Sequence, residues 1–438
     1  LQRRYFPPFL KTKGEEMGTE ILSIKDKSLF LWNDSLKIND YIIANYYVET
    51  SLDPEFTAIA IAMEQSATTT LLKGFKKFNL SDSTARVISV KVRGESEEII
   101  LPQYRLKTAV YTGNYKDKGF YNCLIKIAFP IANFERSLTN LWNAVGGEIT
   151  RMGFINTTRI IDIDFPENYL ENFKGPLYGI KGIRDRFKIE KRPIFVRSTR
   201  PAVGLKTKEM VEIARRVLRG GFDGVKDDEL TVDNSISSFK ERVKKMVDMI
   251  KRVEDDTGEK KFYIANIIDD PIKTLKLAEI AVKAGVDGLL IAPAIQGLGM
   301  VREISKLTGL PVLSHNSWVE FLTRHPKFGV KENVWLKIQR ISGADMIMLP
   351  GNFATEFIDR ELEIECLSAC FSKLGKIFPS FPVLAGGKTP EGLRDYLKRI
   401  GSGDFILIAA TAVDSHPDGI EEGARRFREA WKEMEKGK

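Results

Sequence analysis

The sequence predicts an α/β protein in two parts. A (β/α)8 barrel of the TIM type spans residues 194–438, behind a smaller α+β, ferredoxin-like domain over residues 1–165, with residues 166–193 as connector. Three observations carry this. After Pro193, eight short apolar runs alternate regularly with eight helical runs. Before it, strand and helix signals mix without a repeat, as in an α+β unit. Eight β-α units in roughly 240 residues is the arithmetic of a closed barrel, whereas a doubly wound sheet, the alternative, rarely needs eight.

Taken in order, residues 1–35 carry no clear pattern; the chain opens with Leu1, and Met17 offers another start. The run from Asp40 to Thr50 is rich in β-branched and aromatic residues and reads as a strand. Asp53–Glu64 reads as a helix with Pro54 in its first turn. Further strands are expected at Arg86–Val92, Glu98–Leu101 and Cys123–Phe129, and a helix over Phe134–Val145. The barrel strands are expected at Ile194–Arg197, Asp223–Val225, Phe262–Asn266, Gly288–Ile291, Pro311–Ser314, Met346–Leu349, Pro382–Leu384 and Phe405–Ile408. Between them lie amphipathic runs such as Thr207–Leu218, Ser238–Glu254, Thr274–Ala284, Glu361–Leu374 and Gly419–Glu433.

Composition narrows the function. Of 438 residues, 43% are hydrophobic and 29% charged, which supports a large core and a charged surface. The net charge of +8 suits a small anionic substrate. The basic residues are dispersed and no RNP-like motif accompanies them, so nucleic acid is not the expected partner. Cys123, Cys366 and Cys370 form neither a disulfide framework nor a zinc motif. No apolar run is long enough for a membrane span, and the opening residues lack a secretory signal core, so a cytoplasmic location is expected.

Chemistry concentrates in Gly220-Gly221-Phe222-Asp223-Gly224-Val225-Lys226-Asp227-Asp228-Glu229. A helix stop, a short buried strand and then a lysine with three carboxylates follow one another. Lys226, Asp228 and Glu229 outline a hard-cation site, since carboxylate oxygens suit magnesium; a solvated turn is the other reading. Active sites of such barrels lie at the C-terminal strand ends. Those ends here bring Arg200, Lys226–Glu229, Asn266, His315-Asn316, Gly386-Gly387-Lys388 and Thr411 to one rim.

Together these features resemble the large subunit of RuBisCO, from about Tyr41 to Phe427. The most specific part is Lys226-Asp227-Asp228-Glu229. The resemblance implies that Lys226 is carbamylated by CO2 and, with Asp228 and Glu229, binds Mg2+. Met63-Glu64-Gln65-Ser66 matches the helix end whose Glu reaches the partner subunit's active site, which implies a homodimer, with larger assemblies of dimers also open. His315 matches the histidine ending the fifth strand. Ala385-Gly386-Gly387 matches a phosphate-cradling Gly-Gly, and Ser415-His416-Pro417-Asp418-Gly419 matches the His-Pro-x-Gly after strand eight.

The departures bear on activity. Arg200-Pro201-Ala202-Val203-Gly204-Leu205 stands where a carboxylase has Lys-Pro-Lys-Leu-Gly-Leu, whose first lysine is the enolising base. Arginine's pKa exceeds 12, which excludes a neutral base near pH 7. Asn316 replaces a phosphate-binding arginine, and Met346 and Met348 replace two histidines. Thr355 stands where a mobile loop should deliver a lysine, and Ala409-Ala410-Thr411-Ala412 replaces a Gly-rich phosphate loop. Gly343-Ala344-Asp345-Met346-Ile347-Met348-Leu349-Pro350 is similar to the strand-six signature of methionine-salvage enolases. The pattern resembles the RuBisCO-like proteins, form IV, which implies a Mg-dependent enolase or isomerase on a phosphorylated or carboxylated sugar-derived substrate, without CO2 fixation. Arg200 is then an electrophile or anion clamp. Glu148, His315 and the carbamate on Lys226 are rival bases. Glu64, Asn316, Gly386, Gly387, Lys388 and Thr411 are expected to touch substrate. A non-catalytic or regulatory binding protein on the same scaffold is the second reading, and a genuine carboxylase a third.

Overall fold

Residues 27–66, 80–103 and 116–436 are described by a computed structural model. In the N-terminal part, β1 (Tyr41–Thr50), β2 (Arg86–Ser96), β3 (Phe120–Pro130) and β4 (Ile155–Asp164) form an antiparallel sheet in the order β4-β1-β3-β2. The helices Pro54–Gln65 and Leu138–Gly146 bury their apolar sides with it in one core. Pro54 opens the first helix and the Asp53 carboxylate caps it, accepting from Phe56 N at 2.9 Å. The second helix starts later than expected, because Ser137 accepts from Asn140 N and sets the boundary.

One expected strand needs correcting here. Glu98–Leu101 is not a strand: Ile100 N and Leu101 N donate to the side chain and backbone carbonyls of Asn156, in place of a ladder. β4, conversely, carries no sequence expectation. The connector is also more ordered than its composition suggests, with helices at Glu167–Leu170 and Gly179–Phe187. The second of these plugs one end of the barrel, where Phe187 stacks on Phe262 with centroids 3.8 Å apart.

The remaining strands are β5 (Ile194–Thr199), β6 (Gly224–Asp227), β7 (Phe262–Asn266), β8 (Gly288–Ile291), β9 (Val312–Ser314), β10 (Gly329–Val330), β11 (Met346–Met348), β12 (Phe381–Leu384) and β13 (Ile406–Ile408). All except β10 are parallel and close into an eight-stranded barrel, in the order β11-β12-β13-β5-β6-β7-β8-β9. Alternate residues divide between two cores, as the period of a strand requires. Ile194, Val196, Phe262, Ile264, Met346 and Met348 fill the interior, while Phe195, Tyr263 and Ile347 pack against the outer helices. Gly224 is a glycine because the Phe262 ring leaves no room; a Cβ there would fall 2.2 Å from it. That close approach seats the next inward residue of β6, Lys226.

β10 leaves the barrel and pairs parallel with β4, extending the N-terminal sheet. Arg159 fastens the joint, donating to the carbonyls of Thr323 and Pro326 and pairing with Glu332 at 2.9 Å. Glu49, fully buried, meets Lys327 Nζ at 3.2 Å. The segment so fastened is the one that begins at His315.

Candidate active site

β5, β6 and β9 deliver the charged corner of the barrel mouth. Lys226 is inward and buried, its Nζ donating to Asp227 O at 3.0 Å and lying 3.4 Å from Glu229 Oε2. The same Oε2 lies 3.1 Å from His315 Nε2. Asp228 Oδ2 accepts from Arg200 Nε at 2.8 Å and from Ser198 Oγ at 3.1 Å. Arg200 Nη2 stands 3.9 Å from Glu229 Oε1. Two carboxylates, a lysine, an arginine and a histidine thus share one network.

Protonation follows from these contacts. Burial lowers the Lys226 pKa and favours the neutral amine, against the pull of Glu229 and Asp228. Burial alone would raise the Glu229 carboxyl; the His315 hydrogen bond and Lys226 reverse this and hold it well below the usual carboxylate range. Burial also lowers the His315 pKa, which favours a neutral ring beside Glu229. Ser317 N donates to His315 Nδ1 at 3.2 Å, so the proton sits on Nε2 and faces Glu229. The one lone pair of this tautomer is therefore engaged, and His315 acts as a donor that orients Glu229.

A second layer holds the turn. Asn266 Nδ2 donates to the carbonyls of Asp228, Glu229 and Thr231 at 3.1–3.2 Å. Asp227 points outward, where Arg242 Nε at 3.2 Å, Tyr263 Oη at 2.8 Å and Asn266 N at 3.2 Å converge on its Oδ2. Composition and spacing single out none of Ser198, Asn266, Tyr263 or Arg242. Only Asn266, at a strand end, carries any sequence signal.

The opposite corner is built from backbone. Gly386 and Gly387 have φ of +76° and +60°, and a Cβ at either would meet nothing closer than 3.6 Å, so conformation and not space requires glycine. Lys388 Nζ donates to the Phe353 carbonyl at 2.7 Å and lies over the Tyr396 ring. Its ammonium is thereby engaged with the loop after β11. That loop is further clasped by Glu363, which accepts from Ala354 N and pairs with Arg360 and Arg399. Thr355, at the position of the missing lysine, does not line the pocket; it borders a separate groove with Arg360 and Arg399.

Arg200, Lys226, Glu229, His315, Asn316, Gly386, Gly387, Lys388 and Thr411 all line one pocket of about 250 Å³, with Met348 in its wall. Asp228 is buried beside it. Glu64 and Glu148 do not line it; they lie on the N-terminal domain, where Arg151 bridges them at 3.5 and 2.6 Å. A larger groove, about 1060 Å³, runs between the helices Thr207–Arg219 and Phe239–Thr257. Its charges pair locally, Glu212 with Arg215 and Arg216, and Glu241 with Lys245, as on a solvated flank.

The donor set fits magnesium on one condition. Among the described residues no three His, Cys, Asp or Glu side chains form a metal cluster. Asp228 and Glu229 supply hard oxygens, and Lys226 completes the set only by gaining oxygens, as a carbamate provides. Its burial favours the neutral amine, the form of a lysine able to add CO2.

Family models match both parts of the chain: the ribulose bisphosphate carboxylase large chain catalytic domain over residues 179–438, and its N-terminal domain over residues 102–169. The chain belongs to the RuBisCO large-chain family. Within it, the chain is a RuBisCO-like protein. It is 32% identical to a ribulose bisphosphate carboxylase-like protein of Chlorobaculum tepidum, covering 94% of this chain and 93% of that one. The octameric RuBisCO of Pyrococcus horikoshii, solved with sulfate, superposes with a TM-score of 0.79 at 29% identity, over 93% of this chain and 91% of that one. A dimeric archaeal RuBisCO from Hyperthermus butylicus gives 0.78 at 27% identity, over 92% and 93%. No helix of the described residues is long and apolar enough to cross a membrane.

Proposed function

We propose that this RuBisCO-like protein is a magnesium-dependent enolase or isomerase, acting by proton abstraction next to the ketone of a small phosphorylated or carboxylated substrate. The observation that carries this reading is the convergence of Lys226, Asp228 and Glu229 on one small pocket. Lys226 as its carbamate, with Asp228 and Glu229, would hold the ion, whose charge would stabilise a developing enolate. His315 keeps Glu229 ionised and aimed. Gly386-Gly387 and Thr411 line the pocket opposite and suit the anionic end of a substrate. Arg200 cannot be the base, and His315 has its lone pair engaged. The proton acceptor is therefore assigned to the Lys226 position or to Glu148 of a second copy.

A homodimer follows from the same reading. Val203, Leu230, Ile236, Trp318, Phe321 and Phe357 are exposed, and each lies in a segment following a barrel strand, around the mouth. Such an apolar rim is suited to burial against a partner. The N-terminal domain of a second copy would cover it and bring Glu64 and Glu148 to the pocket. A binding protein without catalysis is the second reading, favoured by the Arg200–Asp228 contact that already neutralises one carboxylate. Carbon dioxide fixation is not proposed, because Arg200 and Thr355 stand where that chemistry uses lysines.

The test is solvent deuterium exchange into a panel of keto-sugar phosphates and sugar acids, with Mg2+ and bicarbonate. Exchange lost by at least about 100-fold in Lys226→Ala supports enolisation, general base catalysis being worth roughly 10²–10⁴. No exchange across the panel, with no stabilisation by Mg2+, favours the binding protein.

A further inference from the structure

Arg200 is placed unlike the other charged groups of the pocket. Its backbone is held, since Arg197 Nη2 donates to Arg200 O at 3.2 Å while Arg197 itself pairs with Asp414 at 2.7 Å. Its side chain is 55% exposed, and among the described residues only Nε is hydrogen-bonded, to Asp228. Nη2 stands 3.9 Å from Glu229, beyond hydrogen-bond reach, so among the described residues the terminal nitrogens have no acceptor and can take one from a ligand. The guanidinium therefore leans on the two carboxylates that a metal would need, by one hydrogen bond that a rotation of the side chain can break.

The charges show what that contact does. In the form that would hold a metal, Lys226 is a carbamate, and Arg200 is the cation that faces it together with Asp228 and Glu229. A divalent cation entering there meets a positive charge already bonded to Asp228, one of its own ligands. Like charge at this distance is costly where solvent is partly excluded. A guanidinium displaced from Asp228 is left without its partner, and the oxygens of an anion arriving with the metal match its two-pronged geometry. Gly386-Gly387 and Thr411 line the same pocket, so an anion in it faces Arg200 directly.

We infer that Arg200 is the resident cation of this site, and that a divalent ion and an anionic ligand enter together, the anion drawing the guanidinium off Asp228. Arg200 is thus a determinant of metal affinity, through competition for one carboxylate. The inference rests on the metal reading proposed above and goes beyond it in making metal binding conditional on the anion.

The experiment is Mn2+ binding to the full-length protein, read by the loss of the free-ion EPR signal. It is done at fixed pH and bicarbonate, with and without sulfate as probe dianion. In the wild type, sulfate tightens Mn2+ binding by about tenfold, a step of roughly 1.4 kcal/mol. Arg200→Gln and Arg200→Ala bind Mn2+ about tenfold tighter than wild type without sulfate, and sulfate no longer helps. Unchanged or weaker Mn2+ binding in both variants, or a sulfate effect of equal size in wild type and variants, overturns the inference. Asp228→Asn separates the two failures. If it abolishes Mn2+ binding while the arginine variants change nothing, the competition is wrong and the metal site stands. If it leaves Mn2+ binding intact, the metal reading falls and this inference with it.

Discussion

The two ends of the barrel both bury ionisable side chains, and they use them differently. At the end plugged by the helix Gly179–Phe187, Asp223 binds Arg192 in two-pronged fashion and accepts from Phe195 N at 2.8 Å. Asp345 accepts from the backbone N–H groups of Tyr178, Gly179 and Val312. Lys261 donates to Phe222 O and pairs with Glu259. Each charge ties a loop to a strand and opens on nothing. At the other end Lys226, Glu229 and His315 are also largely buried, yet they face one another around a pocket. Buried charge alone does not mark a site; buried charge with an open side does.

The comparison can be broken by exchanging the expected effects of the two ends. Lys226→Ala should lower deuterium exchange by two to three orders of magnitude while changing unfolding free energy by no more than about 1 kcal/mol. Asp223→Ala should do the reverse. Leaving Arg192 without its partner should cost about 3 kcal/mol, with exchange per folded molecule unchanged. If the two variants behave alike in urea unfolding and in exchange, the distinction between the ends fails.

Asp345 sharpens it through pH. Burial pushes its carboxyl up to about 6, although backbone N–H donors pull the other way. The folded state then holds a proton that the unfolded chain has lost, so this group's contribution to stability falls as pH rises from about 4 to about 6. Asp345→Asn removes the titration. The wild-type advantage in unfolding free energy should therefore shrink across that window and stay flat above it. A difference that grows with pH would contradict the assignment.

Asn266 lies between the extremes. Asn266→Ala frees three carbonyls of the turn that carries Asp228 and Glu229. A cost of about 1–2 kcal/mol and Mn2+ binding weakened by about tenfold are expected. Loss of stability with unchanged Mn2+ affinity would make Asn266 structural only. The smallest effect is that of Glu148→Gln, whose partner Arg151 is at the surface. Its melting temperature should barely move, surface changes being worth about 0.5 kcal/mol or less. Exchange that falls nonetheless would assign the base to a neighbouring copy.

Much of this was legible in the chain because barrel strands are short, apolar and buried on both faces. Phe262–Asn266 and Gly288–Ile291 match the expected bounds residue for residue. β4 was not legible: Thr157, Thr158, Arg159 and Asp162 interrupt its apolar pattern, and several of them serve the joint to the loop after β9. β10 is two residues long and exists only because β4 offers an edge. In the site, residues at strand ends announced themselves by position. Ser198 and Arg242 did not, because each acts through a partner 15 or 30 positions away in sequence. The Arg200–Asp228 contact is of the same kind. An arginine in place of a lysine says what it cannot do as a base, and only the fold shows which carboxylate it meets.

The most direct test of the account is whether Lys226 gains oxygens. The protein would be equilibrated with 13C-bicarbonate and Mg2+ and examined by 13C NMR, with Lys226→Arg as control. A carbamate resonance present in the wild type and absent from the variant is the expected result, and its intensity should fall when Mg2+ is chelated. A folded wild type with no such resonance would leave Asp228 and Glu229 without their third ligand and contradict the metal site.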